Sequence, residues 1–275
     1  MKLSNAAKHF DDVVATDAHG AASIRVQFLL YDDTRRDGLT VDRRIISVAP
    51  AVTIPARRVL TVGSDRWIMG DGANDYFKGE AIRTKYVAHL ASGLAELKTI
   101  AQALQGQAGA TFYAGIAWVK SARQIEVNSE LINVETLYAS KTETVQEDQL
   151  VFLNGKMYFT RQPYTALSGF TALTLDEIEQ PLEIISFSSR TYDPITDAYS
   201  ATTVATTVLR HRWQEHYAYT SKADQSYERG DETVWVLESA AVAKAGDRLT
   251  LSDGEWLVLS ATDEGAVRSL HVRRA

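Results

Sequence analysis

The chain contains no cysteine. That one absence excludes disulfides, thiolate metal sites and cysteine nucleophiles together, and it fits synthesis in a reducing cytoplasm. Histidine is scarce as well, with six in 275 residues. The one close pair is His211 and His216, whose spacing sets the two rings on opposite faces of a strand. On a helix they would also diverge, because metal-binding pairs sit at i and i+4. No metal and no cofactor are therefore expected. No apolar run approaches the roughly 18 residues of a membrane-spanning helix. Met1–Asn5 carries its Lys without an apolar stretch behind it, so no secretory signal is expected. Positive charge is in short supply: 29 Lys and Arg face 35 Asp and Glu, a net charge of −6 that suits a dedicated nucleic-acid binder poorly.

Catalytic signatures are missing too. Gly155-Lys156-Met157 follows a turn and lacks the hydroxyl that a magnesium nucleotide needs. Gly70-Asp71-Gly72-Ala73-Asn74-Asp75 lacks both the glycine spacing of a dinucleotide loop and the alternating oxygen ligands of a calcium loop, and reads as a surface turn. There is no Gly-x-Ser-x-Gly elbow. Asp32-Asp33 and the Glu177/Glu179 pair sit where solvation explains them. The expectation is a protein that is not an enzyme.

What is present is a repeated hairpin. It occurs at Arg58–Ile68, Asp148–Tyr158 and Asp247–Leu257. In each copy a Leu (Leu60, Leu150, Leu249) precedes a large apolar residue (Trp67, Met157, Trp256) by seven positions. Asn154-Gly155 and Asp253-Gly254 supply the positive φ that tight hairpin turns require. Gly79, Gly169 and Gly265 follow, each opening one more strand. Trp67 and Trp256, at matched positions, are expected to plug small barrels, and the five Trp read as core before any sugar-stacking platform.

Around these hairpins the pattern is mainly β. Ile24–Tyr31, Val41–Val48, Phe170–Leu175, Leu182–Phe187, Thr202–Tyr219 and Thr233–Leu237 read as strands. Ser4 as an N-cap, with Ala7, Phe10, Val13 and Val14 on one face, predicts a short N-terminal helix. Leu90, Leu94, Leu97, Ala101 and Leu104, ahead of Gly106, predict a central one. The organisation expected is a β-barrel with a leading helix over 1–89, a linking helix over 90–107, a middle β unit over 110–180 and a C-terminal β-barrel over 181–275: tandem small antiparallel barrels or sandwiches. Charge is uneven along it. Residues 1–95 carry 13 basic against 11 acidic side chains, and residues 181–275 carry 10 against 14.

The third unit, with Glu228-Arg229-Gly230-Asp231-Glu232-Thr233-Val234, then Ala243–Leu249 and Ser252–Val258, resembles the small β-barrel of tailed-phage head-closure proteins, the stoppers or head–tail connectors. The first unit is similar from Arg43–Val48 through Pro55–Arg58 to Trp67–Met69. The resemblance implies a structural virion protein in the neck between head and tail. Its copies would form a ring that meets portal or adaptor and tail proteins and lets DNA pass through the channel, with no membrane involved. It points to Tyr219, Lys222, Tyr227 and Arg229 as a gating or docking loop, and to Arg268, Arg273 and Arg274 as a basic end that docks on a neighbour. Other phage components, a tail terminator, tail tube or decoration protein, share the same barrel physics. A β-rich carbohydrate-binding module is the reading outside that class.

Overall fold

The computed structural model describes residues 13–18, 20, 23–30, 43–54, 58–124, 129–146, 148–165, 169–178, 182–212, 230–238 and 243–275. The first barrel is built from β1 (Val13–Asp17), β2 (Ser23–Leu30), β3 (Arg43–Val48), β4 (Val59–Val62), β5 (Asp65–Phe77) and β6 (Glu80–Leu90), closed in the order β1-β2-β3-β6-β5-β4. Two three-stranded meanders are thus joined antiparallel, β3 against β6 and β1 against β4. The second comprises β7 (Gly93–Lys98), β8 (Ala110–Gln124), β9 (Ser129–Ser140), β10 (Leu150–Leu153), β11 (Lys156–Thr165) and β12 (Phe170–Glu177). The third comprises β13 (Glu183–Asp193), β14 (Ala198–Arg212), β15 (Glu232–Leu237), β16 (Arg248–Leu251), β17 (Gly254–Glu264) and β18 (Val267–Arg274). Both close in the same relative strand order as the first. The chain is therefore mainly β, and the repeat read from its hairpins is a threefold repeat of topology.

The repeated hairpin is β4–β5, β10–β11 and β16–β17. Leu60 faces Trp67 and Leu249 faces Trp256, as the spacing predicts. In the middle copy the facing pair is Val151 and Tyr158, while Leu150 faces Phe159 and Met157 faces Phe152. The sequence alignment of that copy was one residue out of step. Its strands are apolar on both faces, with Leu150, Val151 and Leu153 all buried, so alternation could not set the register. The turn fixes it: Asn154 and Gly155 both take positive φ between the paired Leu153 and Lys156. In the third copy the loop is Ser252-Asp253, and Gly254, expected within the turn, is the first strand residue. Gly79, Gly169 and Gly265 all adopt positive φ at the next turn.

Two expected helices are corrected. Val13 and Val14 lie in strand β1, and the rest of the N-terminal prediction, 4–12, falls outside the described residues. Of the linking helix only α1 (Ile100–Leu104) forms; Leu90 ends β6, and Leu94 and Leu97 belong to β7. The helical spacing of Leu90, Leu94 and Leu97 arises from two strands of different barrels joined through Ala91 and Ser92. The true start signal is the capping box at Thr99, whose side chain accepts from the Gln102 backbone N–H while Gln102 reaches back to the Thr99 N–H. Gly106, at positive φ, ends the turn as expected. Gly70–Asp75 is no surface turn but part of β5, with register shifts between Met69 and Gly72 and between Asp75 and Tyr76.

Each barrel is filled. The first core gathers Ile46, Val48, Leu60, Trp67 and Met69; the second Phe112, Leu137, Val151, Tyr158 and Leu173; the third Val234, Leu249, Leu251, Trp256 and Leu270. β16 shows the underlying rule, alternating exposed Arg248 and Thr250 with buried Leu249 and Leu251. Among the described residues no helix is long and apolar enough to cross a membrane.

The chain divides into two compact units, one holding Met1–Leu97 with Ala110–Asp176, the other holding Lys98–Gly109 with Glu177–Ala275. In the first unit, Val59 and Ile68 of barrel one share an apolar cluster with Tyr138, Phe170 and Ala172 of barrel two. In the second, α1 lies against β14 and β15.

Gly115 sits where β8 meets the end of β6, and a Cβ there would lie 2.6 Å from the Leu90 carbonyl oxygen. Because that neighbour is backbone and cannot swing aside, Gly115→Ala is expected to lower unfolding free energy by about 1–3 kcal/mol. Urea denaturation against wild type measures this, with Gly93→Ala, which meets only side-chain atoms, as the milder control.

Candidate functional site

Among the described residues, no group of three or more His, Asp or Glu side chains is arranged to hold a metal. The charged side chains cluster instead as clasps on the barrels, and the surface features that stand out are projecting hairpins.

The most complete clasp is in barrel three. Arg210, on β14, is almost fully buried, with its side chain 1% exposed. Its five N–H groups are all used. Nε and Nη2 donate to Glu232 Oε2 at 2.9 and 2.7 Å. Nη1 donates to Glu183 Oε1 at 3.2 Å and Asp253 Oδ1 at 3.1 Å, and Nη2 also donates to Asp253 Oδ2 at 3.1 Å. The guanidinium lies 5.0 Å from the Trp256 ring centre, and Trp256 Nε1 donates to Asp253 at 2.9 Å. Glu183 in turn accepts from the Ser252 backbone N–H. Burial works against the charge on Arg210, yet Asp253 and Glu232 outweigh it and raise its pKa. For Asp253 the same balance lowers the pKa, burial being overcome by hydrogen bonds from Arg210 and Trp256. The cluster sits at the shortest strand pairing of the barrel among the described residues, where β13 and β16 pair through Ser186–Thr250 and Phe187–Leu249. Strands β13, β14, β15 and the β16–β17 turn are tied there by one side chain.

A second clasp centres on Asp231, whose side chain is 2% exposed. It accepts both Nε and Nη2 of Arg273, at 2.7 and 2.8 Å, and faces His271 Nε2 at 2.8 Å. The resemblance implied a basic docking end at Arg268, Arg273 and Arg274. The structure places all three on β18, each with a partner in the same barrel unit: Arg268 on Asp263 of the β17–β18 arm at 2.5 Å, Arg273 on the buried Asp231, and Arg274 on the Asp253 carbonyl at 3.0 Å. They are not brought together as one patch. The loop residues Tyr219, Lys222, Tyr227 and Arg229 lie outside the described residues, as does His216; His211 is buried beside Trp235, their ring centres 6.4 Å apart.

Barrels one and two meet at a third cluster. His89, 3% exposed on β6, stacks on Tyr138 with ring centres 4.2 Å apart and receives the edge of Phe170 at 4.6 Å. Burial, with Arg43 nearby, pushes its pKa down to about 3, so the ring is neutral at pH 7. Beside it Asp71 pairs with Arg58 at 2.8 Å and with Lys141 of barrel two, and those bonds, Lys141 first, hold its carboxyl below the usual range. A Cβ on Gly169 would fall onto Asp71, so only glycine permits this approach.

Beyond the barrels the strands run on as two-stranded arms. In β5–β6 the stem is laced by Asp75 with Arg83 at 2.5 Å and Lys85 at 2.7 Å, and by Thr84 with Asn74 at 2.7 Å. Its tip exposes Tyr76 and Phe77, with Lys78 over the Phe77 ring at 5.7 Å. In β17–β18 the tip is acidic, with Ala261, Thr262, Asp263 and Glu264 all exposed. The sequence held these arms in plain view as strands longer than a small barrel needs, but Gly70–Asp75 disguised the first as a loop. In comparisons with protein-family models, curated proteins and solved structures, the chain matched none.

Two outcomes follow from these clusters. Arg210→Met strands Glu232 and Asp253 without their counter-charge and is expected to cost about 3–5 kcal/mol, read by chemical denaturation. For His89 the folded pKa lies below the unfolded 6.5, so its contribution is present above pH 6.5 and lost as pH falls toward 3. That loss amounts to about 2 kcal/mol at pH 5. Thermal melts across pH 4–8 should show it, and His89→Phe should flatten that part of the profile.

Proposed function

We propose that this chain is a structural virion protein of a tailed phage, a subunit that assembles with copies of itself into a ring in the neck, joins portal or adaptor to tail, and lines the passage for DNA. The observation that carries the reading is the architecture: three filled barrels of one strand order, with charged side chains spent on intramolecular clasps and with two-stranded arms that run on past the barrels. Among the described residues the barrel interiors are taken up by apolar side chains, so what such a body offers to other molecules is its outer surface and its arms. Closed barrels also remove the exposed strand edges that invite uncontrolled pairing, while leaving chosen edges on the arms. Net negative charge keeps passing DNA from adhering to the wall through phosphate repulsion. The likeness of the first and third units to head-closure barrels supports the placement in the neck.

Size-exclusion chromatography with light scattering, followed by negative-stain imaging of the purified chain, tests this. Annular particles containing several copies are the expected result. A chain that stays monomeric alone and when mixed with portal and tail proteins, or that binds a glycan through one exposed Trp, would overturn it.

A further inference from the structure

The tips of the two fully described arms differ in chemistry. The β5–β6 tip carries two exposed aromatics and Lys78, and the β17–β18 tip carries Asp263 and Glu264. Both arms also present an open strand edge. On β6, pairing with β3 ends where Thr84 faces Val48, so Glu80–Arg83 have no strand on that side among the described residues. On β17, pairing with β16 ends at Leu257, and after the backbone bonds of Val258 with Gly246 and Asp247, the edge from Leu259 to Glu264 is likewise open among the described residues. Two-stranded ribbons are marginal in water and gain from a third strand. An open edge is a ready site for one.

We propose that the β6 edge of one copy adds to the β17 edge of a second copy, as a parallel pair of arms. The inference rests on the ring reading above and names the contact that would build it. Charge selects the orientation. Run parallel with Arg83 beside Glu264, the pair sets Glu80 beside Ala261 and Ala81 beside Thr262, so that Tyr76 and Phe77, which face Ala81 and Glu80 from β5, lie level with Thr262 and Ala261 one strand farther out. Run antiparallel over the same span, Glu80 meets Glu264 and Arg83 falls beside the neutral Ala261. The occupant is a second copy because each chain carries one edge of each kind. They lie in segments of opposite charge balance, 13 basic against 11 acidic over residues 1–95 and 10 against 14 over residues 181–275. A contact between two different patches is heterologous, so copies add head to tail until the turn closes. The β13–β14 hairpin also runs past its barrel, but it offers no comparable acidic edge in the described side chains.

The absence of native cysteine makes the test direct. A chain with Ala81→Cys and a chain with Thr262→Cys, mixed and mildly oxidised, should give a disulfide-linked pair of twice the chain mass, whereas either alone should not. Tyr76→Asp with Phe77→Asp, at exposed positions, should leave the circular dichroism spectrum and melting temperature unchanged while abolishing the ring peak in size-exclusion chromatography with light scattering. Glu264→Arg should shift the assembly midpoint to at least tenfold higher protein concentration. If wild type forms rings but the Tyr76/Phe77 variant still does and no 81–262 cross-link appears, this contact is wrong while the ring reading stands. If wild type forms no oligomer at any concentration and the cross-link fails, both fall.

Discussion

Everything in this molecule depends on strands having two neighbours. A six-stranded sheet that closes leaves no unsatisfied row of N–H and C=O groups, and its inward side chains then face one another across a space just wide enough to fill. Closure has a weak point in barrel three, the two-residue seam between β13 and β16. Arg210 resolves it by tying the three strands of the first meander to the β16–β17 turn of the second through a fully hydrogen-bonded guanidinium. Burying that cation is costly in isolation; five satisfied donors and a Trp face make it tolerable and fix one geometry. The same logic recurs with Asp231, where the buried group is an anion and its partners lie on β18.

Much of the fold was legible in the sequence, and the reason is local chemistry. Asn154-Gly155 and the glycines at 79, 169 and 265 announce turns because few residues accept positive φ. Alternation in Ile24–Phe28 and Thr202–Arg212 announces strands wherever one face is wet. The sequence misled where that contrast vanishes. Leu150–Leu153 is apolar on both faces, so the middle hairpin could be aligned one residue out of step. Leu90, Leu94 and Leu97 mimic a helix because the two-residue link Ala91-Ser92 joins strands of two different barrels at helical spacing. Glycine and acid in Gly70–Asp75 suggest a loop, yet the segment is a bulged strand held by Tyr86, Arg58 and Lys141.

The candidate site was less legible than the fold. Arg268, Arg273 and Arg274 read as a basic patch because sequence shows charge without showing partners; their acids, Asp263, Asp231 and the Asp253 carbonyl, sit five to 42 positions away. His89 gave no signal at all, since a lone His in an alternating strand looks like any half-wet position. Only the approach of Tyr138 and Phe170 from another barrel makes it a buried neutral ring.

The segment Lys98–Gly109 leaves the second barrel between its first two strands and groups with the unit that holds the third. During synthesis, barrel one has every strand it needs once Leu90 has emerged, so it can close vectorially on the ribosome. Barrel two can gather its strands next, whereas the short helix inside its first connection packs on β14 and β15, which are synthesised later. The helix therefore finds its packing partners only after β14 and β15 have emerged, and a product truncated ahead of them would lack that contact.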